Sequence, residues 1–277
     1  MATDFTIQSA GAMLSGDESG DGLPVLLLHG LTATRRYVVM GSKALERSGH
    51  RVIKYDARAH GHSSPAPTPE GYTYDILGDD AIAVMDDRGI DRAVLAGASM
   101  GAHTLLNVVL RYPERVAGVV VITPAYSGDA AREQERLARW DALSEALRTG
   151  GVDAFVDAYV AFQGGSPEFA ATVATVTRQR LALHDHPDAL ADCLRALPRS
   201  APFGSLQELE AINVPAVVVA SNDDADPEHP EALGIAYARE IPGAQLVTDP
   251  PGKSPIAWQG SQLSQIIAGV VASSDLS

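Results

Sequence analysis

The sequence predicts an α/β fold: a mostly parallel sheet flanked by helices, with an inserted helical region. Three observations carry that reading. Apolar runs of strand length alternate with amphipathic stretches of helical length, as expected for a parallel sheet covered by helices. The pentapeptide Gly97-Ala98-Ser99-Met100-Gly101 falls between one such apolar run and a helix-like segment. The alternation is then suspended from Tyr126 to Ser205 and resumes near Val214.

In chain order, Phe5 to Ser9 and Ala12 to Leu14 suit an antiparallel edge. Val25 to Leu28, Val52 to Tyr55, Ala93 to Ala96, Val119 to Ile122, Ala216 to Ala220 and Gln245 to Val247 read as strands, because short aliphatic runs bounded by turn formers fit buried parallel strands. Helices are expected over Ser42 to Ser48, Ile76 to Asp87, Ala102 to Arg111, Glu231 to Glu240 and Gln262 to Val271. Between them, Leu137, Trp140, Leu143 and Leu147 recur at helical spacing, and Gly150-Gly151, Gly164-Gly165 and Pro187 mark breaks. Residues 1–125 and 206–277 are thus expected to form the core and 126–205 a helical cap. Phe155, Tyr159, Phe162, Phe169 and Trp140 are candidates to wall a pocket beneath it, although aromatic residues at helical spacing more often pack against one another.

Ser99 is the residue to explain. The strand Ala93 to Ala96, the G-x-S-x-G turn and the following helix make an elbow that lifts the serine hydroxyl clear of the sheet. Glycines suit both flanks because strand and helix backbones come close together there. The plainer alternative is that Ser99 only caps the helix.

Two further segments agree with the elbow. His29-Gly30-Leu31-Thr32 follows a buried strand where it would open into a loop, and Tyr55-Asp56-Ala57-Arg58-Ala59-His60-Gly61-His62-Ser63 follows the next one. With the elbow, these segments resemble the α/β-hydrolase superfamily, which commonly has an HG loop, a D-x-R-G-H-G-x-S segment and a G-x-S-x-G elbow in this order. Ala59 stands where that pattern has glycine. The resemblance covers nearly the whole chain and implies the α/β-hydrolase fold, with Ser99 as nucleophile and the backbone N–H groups of Leu31 and Met100 as an oxyanion hole. No cofactor is required by such chemistry.

The resemblance also implies an acid after the strand Val217 to Ala220. The loop 221–230 offers Asp223, Asp224 and Asp226; counting from Pro215 favours Asp224. The histidine expected after the last strand is missing, since Lys253 occupies that place in Asp249-Pro250-Pro251-Gly252-Lys253 and no histidine follows His229. The general base is therefore non-standard. Lys253 would have to be neutral to act as base, and a neighbouring carboxylate would instead keep it charged. His229 is favoured slightly, and His103 less so, as it lies on the helix leaving the elbow.

The formal charge of −14 and pI near 4.9 argue against nucleic acid and anionic membranes as partners. A single cysteine, Cys193, excludes an internal disulfide and fits a buried thiol in a cytoplasmic protein. Neither His60 with His62 nor His184 with His186 comes with a recognisable ligand spacing, so no metal is expected and loop polarity explains these pairs. The expected partner is a small-molecule acyl substrate. The leading expectation is hydrolysis of a small carboxylic ester or lactone. A noncatalytic small-molecule binder with Lys253 holding an acidic group, or a C–C bond hydrolase, is the alternative; a dehalogenase would need a carboxylate where Ser99 stands.

Overall fold

The computed structural model describes residues 2–163, 167–222, 226, 228–249 and 259–276. Its sheet is built from β1 (Thr3–Ser9), β2 (Ala12–Ser19), β3 (Leu23–Leu28), β4 (His50–Tyr55), β5 (Ala93–Ala98), β6 (Val116–Ile122), β7 (Ala216–Ala220) and β8 (Gln245–Thr248). The strand order is β1-β2-β4-β3-β5-β6-β7-β8. β1 pairs antiparallel with β2, and β2 with β4, while the remaining pairs are parallel. The antiparallel edge and every predicted strand are present, each extended by no more than a few residues except β2.

Side-chain alternation splits the core into two layers. Leu26, Leu28, Leu95, Val119 and Val121 face one side, against α2 (Tyr74–Asp87), α3 (Met100–Arg111) and α7 (Glu231–Glu240). Val25, Leu27, Val94, Val120 and Val219 face the other, against α1 (Ala44–Arg47) and α8 (Gly260–Ser273). The helix expected over Ser42 to Ser48 shrinks to a single turn.

Between β6 and β7 lies the helical insertion: α4 (Ala130–Gln163), α5 (Pro167–Leu181) and α6 (Pro187–Ala196). α4 breaks at Gly151, whose φ of 67° and ψ of −158° no helix accommodates, and Pro187 opens α6 at the position where its missing N–H costs nothing. Gly164-Gly165 lies outside the described residues. The insertion has its own apolar core, in which Trp140, Leu143, Phe155, Val156 and Leu194 are buried. Phe155 and Tyr159 stack at a ring separation of 5.8 Å, as packing alone would place them; the Phe169 side chain lies outside the described residues.

Two of the paired histidines depart from the expected loop polarity. His60 and His184 are buried, with ring centroids 5.5 Å apart, and His29 stands 5.0 Å from His60 on the other side. Only their partners His62 and His186 are exposed, His62 pairing with Asp185 at 2.9 Å. The reason is polar satisfaction in tight loops: His29 Nε2 accepts the Ala57 N–H at 2.9 Å, and His184 Nδ1 accepts the Gly61 N–H at 2.8 Å. Burial lowers the pKa of each of the three rings. Among the described residues no three His, Cys, Asp or Glu side chains converge as metal ligands, and no helix is long and apolar enough to cross a membrane. Cys193 is a buried free thiol.

Candidate active site

The site forms at the carboxyl ends of the central strands, where open α/β sheets bind ligands. Ser99 sits between β5 and α3 with φ 51° and ψ −110°, a left-handed conformation that costs a non-glycine residue on the order of 1–3 kcal/mol. Neighbouring glycines make the turn possible. A Cβ on Gly97 would lie 2.3 Å from the Gly101 backbone, and one on Gly101 would lie 2.0 Å from the Leu28 carbonyl oxygen. The Ser99 N–H donates to Ile122 at 2.9 Å, fixing the elbow to the end of β6.

The imidazole that meets Ser99 comes from the loop after β7. His229 Nε2 lies 2.8 Å from Ser99 Oγ. Its Nδ1 lies 2.9 and 2.8 Å from the two carboxylate oxygens of Asp226, so Nδ1–H donates to Asp226 and Nε2 is left to accept from the serine hydroxyl. Burial by itself would lower the His229 pKa, but the charge and hydrogen bond of Asp226, together with the charge of Glu228, outweigh it and hold the ring above its ordinary 6.5. Burial would raise Asp226, and the same histidine plus the Glu228 and His229 N–H groups hold it below the usual carboxylate value.

Of the other sequence candidates, Asp223, Asp224 and Lys253 lie outside the described residues. Asp226, the third carboxylate considered for the acid, lies beside the imidazole. His103 is turned away: its Nε2 accepts the N–H groups of Ala125 and Tyr126 at 3.0 and 3.1 Å, and Nδ1 bonds the Tyr74 hydroxyl at 3.0 Å. Burial depresses its pKa far below 6.5. Met100 opens α3, where its N–H has no carbonyl one turn back to bond. A Cβ on Gly30, the residue before Leu31, would come within 3.6 Å of Ser99 Cβ, so the loop carrying Leu31 passes beside the elbow.

The helical insertion grips both loops, mostly through residues the sequence did not single out, among them Glu228, Arg132, Arg136, Arg139 and Arg180. Glu228 accepts the Trp140 indole N–H at 3.2 Å and pairs with Arg139 at 3.4 Å and Arg136 at 3.9 Å; its carbonyl accepts from Arg132 at 2.9 Å. The spacing 132, 136, 139, 140 is one face of α4. On the opposite wall, Thr32 (φ 68°) is strained, its hydroxyl accepting from Arg180 at 3.1 Å and its carbonyl from His184 Nε2 at 3.1 Å. Between these walls lies a cavity of about 810 Å³, lined by Ser99, His229 and Leu31 and, from the insertion, by Trp140, Tyr159 and Phe162. Trp140, Tyr159 and Phe162 therefore meet the cavity, more of these aromatics than the packing expectation allowed, while Phe155 belongs to the insertion's core.

The family model described as the α/β-hydrolase fold matches residues 24–151. The chain is 33% identical over 177 residues to 3-oxoadipate enol-lactonase 2 of Acinetobacter baylyi, covering 62% of this chain and 61% of that protein. It is 31% identical over 212 residues to a putative carbamate hydrolase of Variovorax paradoxus, covering 74% and 75%. The chain spans less than two thirds of the enol-lactonase and smaller shares of several other relatives. The crystal structure of a hydrolase from Pseudomonas aeruginosa superposes with a TM-score of 0.72 at 25% identity, covering 98% of this chain and 97% of that one. Sheet order, elbow and relatives agree that this chain belongs to the α/β-hydrolase family.

Proposed function

We propose that the protein hydrolyses a small carboxylic ester or lactone through Ser99, with His229 as general base and Asp226 as the acid that orients it. The observation that carries this reading is the unbroken line Ser99 Oγ, His229, Asp226, with contacts of 2.8 Å at each step. His229 takes the serine proton as Oγ attacks the carbonyl carbon, and the Asp226 carboxylate stabilises the imidazolium that forms. The N–H groups of Leu31 and Met100 face the oxygen on which charge develops, where one such donor contributes about 2.7–4 kcal/mol of transition-state stabilisation. The imidazolium returns its proton to the leaving alkoxide. Water, deprotonated by the same imidazole, then releases the acyl group.

This base is non-standard in origin: it stands in the loop after β7 beside its own acid, three residues away. The cap reading of 126–205 is supported by the insertion residues that wall the cavity containing Ser99. The enol-lactonase and carbamate hydrolase relatives support a carbonyl attached to oxygen or nitrogen as the reacting group, so carbamates belong in the substrate screen. Treatment with a fluorophosphonate should phosphonylate Ser99, located by mass spectrometry of the labelled peptide. Ser99→Ala should lose both the adduct and the turnover of 4-nitrophenyl butyrate. An unlabelled Ser99, with equal turnover in both proteins, would end the proposal.

A further inference from the structure

Among the described residues the cavity wall carries two arginines, Arg139 and Arg180, and they differ in one respect. Arg139 is paired with Glu228. Arg180 has no carboxylate partner among the described residues. Among the described residues its guanidinium meets only neutral hydroxyls, donating to Thr32 at 3.1 Å and lying against Tyr159, and its Nε is enclosed without any partner. Arg36 and Arg47 also lack a carboxylate, but both are exposed to water; Arg180 is half-buried. A guanidinium drawn out of water without a counter-ion is costly, and proteins pair such groups unless a ligand does so. The two carboxylates that share the cavity among the described residues are committed, Asp226 to His229 and Glu228 to Arg139, Arg136 and Trp140.

We propose that Arg180 is a specificity residue that pairs with a carboxylate on the substrate, so that the preferred substrate is an ester or lactone bearing one free acid group. This rests on the ester or lactone reading above. The planar guanidinium matches a carboxylate better than any neutral polar group. The rest of the wall, including Leu31, Val173, Val176 and Phe162, suits an aliphatic chain joining that acid to the reacting carbonyl. One unpaired guanidinium among the described wall residues fits a single carboxylate, and a net charge of −14 on the chain disfavours a more highly charged ligand. Tyr159 stands at the same end, its hydroxyl pushed up to about 12 by burial despite the neighbouring Arg180 charge, so it stays protonated and adds a donor. Because Arg180 also holds Thr32, next to the Leu31 N–H, loss of the side chain acts on every substrate. The proposal therefore concerns the ratio between acidic and neutral ones.

The test compares 4-nitrophenyl hemisuccinate, hemiglutarate and hemiadipate with neutral esters of matched length, in wild type, Arg180→Gln and Arg180→Lys. At least one hemiester should exceed its neutral counterpart in kcat/KM. Arg180→Gln should lower that ratio about tenfold or more, as expected for a charge-assisted hydrogen bond, with Arg180→Lys in between. A ratio that Arg180→Gln leaves unchanged, both esters falling alike, would show that Arg180 only positions the Thr32 loop and would overturn the proposal while sparing the hydrolase reading. Calorimetry with monomethyl glutarate on Ser99→Ala separates the two readings further. Binding that disappears in Ser99→Ala/Arg180→Gln supports the acid subsite even if no ester is turned over. No binding to the folded Ser99→Ala protein, with neutral esters preferred by wild type, defeats it.

Discussion

Trp140 donates its indole N–H to a Glu228 carboxylate oxygen at 3.2 Å, and Glu228 is the residue before His229. The contact joins α4 of the insertion to the loop that carries Asp226 and His229. In the proposed chemistry this makes α4 a support for the base rather than only a roof over the substrate. Trp140→Phe removes the donor and keeps most of the bulk, and should lower kcat about tenfold, the size of one hydrogen bond to a charged group. Steady-state turnover of 4-nitrophenyl butyrate checks it; a rate within twofold of wild type would show that the loop keeps its place without this bond.

The acid limb of activity should report His229. The ring must be neutral to take the serine proton, and its folded pKa is raised above 6.5 by Asp226 and Glu228 against the opposing effect of burial. Turnover should therefore rise with pH through a value above 6.5. Glu228→Gln removes one raising charge and should move that limb to lower pH. Asp226→Asn removes the larger one, should move it further in the same direction, and should cut kcat by about two to four orders of magnitude. A limb that stays put in both variants would assign the titration to another group.

His184 should make the protein acid-sensitive. Burial lowers its pKa to about 4, because Nδ1 accepts the Gly61 N–H at 2.8 Å and has no place for a proton. The unfolded chain binds that proton from about pH 6.5 downward, the folded one only near pH 4. Stability from this group is thus complete above 6.5 and falls as the pH drops towards 4, by about 3 kcal/mol in all. Urea midpoints at pH 7 and pH 5 should lie closer together in His184→Gln than in wild type, since the variant keeps a donor and an acceptor but cannot titrate, while buried His29, His60 and His103 retain their share of the difference.

Arg58 and Asp80 form the most deeply buried ion pair among the described residues, with Nη2 to Oδ1 at 2.6 Å and side chains 1% and 0% exposed. Nε reaches Oδ2 at 2.8 Å, and Ser9 donates to Oδ1 at 2.6 Å. Breaking one side strands the other, at a cost of about 3–5 kcal/mol. Arg58→Met should unfold at correspondingly lower urea concentration, whereas a shift below about 1 kcal/mol would mean that Asp80 takes up a proton instead.

The strands were legible because a buried parallel strand must be an apolar run, and Ser99 because only a glycine-flanked turn lets a helix leave a strand so sharply. Ala59 shows the limit of that reasoning: a small change by residue type, it carries φ 66°, where glycine would sit without strain. The acid and base were harder. In the loop 221–230 no periodicity orients side chains, so the sequence leaves Asp223, Asp224 and Asp226 open, and Asp224, which counting from Pro215 favours, lies outside the described residues. The i, i+3 spacing of Asp226 and His229 was the available signal, for it lets both side chains meet within one turn. Glu228 and Arg180 gave no sign at all, since their roles come from contacts between segments about ninety and one hundred and fifty residues apart.

The placement of the proposed acid and base, Asp226 and His229, three residues apart has a consequence for the states the molecule can occupy. The donors proposed at Leu31 and Met100 ride on other segments, so moving Asp226 and His229 away would, in the proposed chemistry, silence Ser99 while leaving the carbonyl cradle and the Arg180 wall intact. Such a molecule would still capture its ligand and fail to cut it. Within this architecture, a catalyst and a receptor for the same compound differ by the position of a single strip of chain.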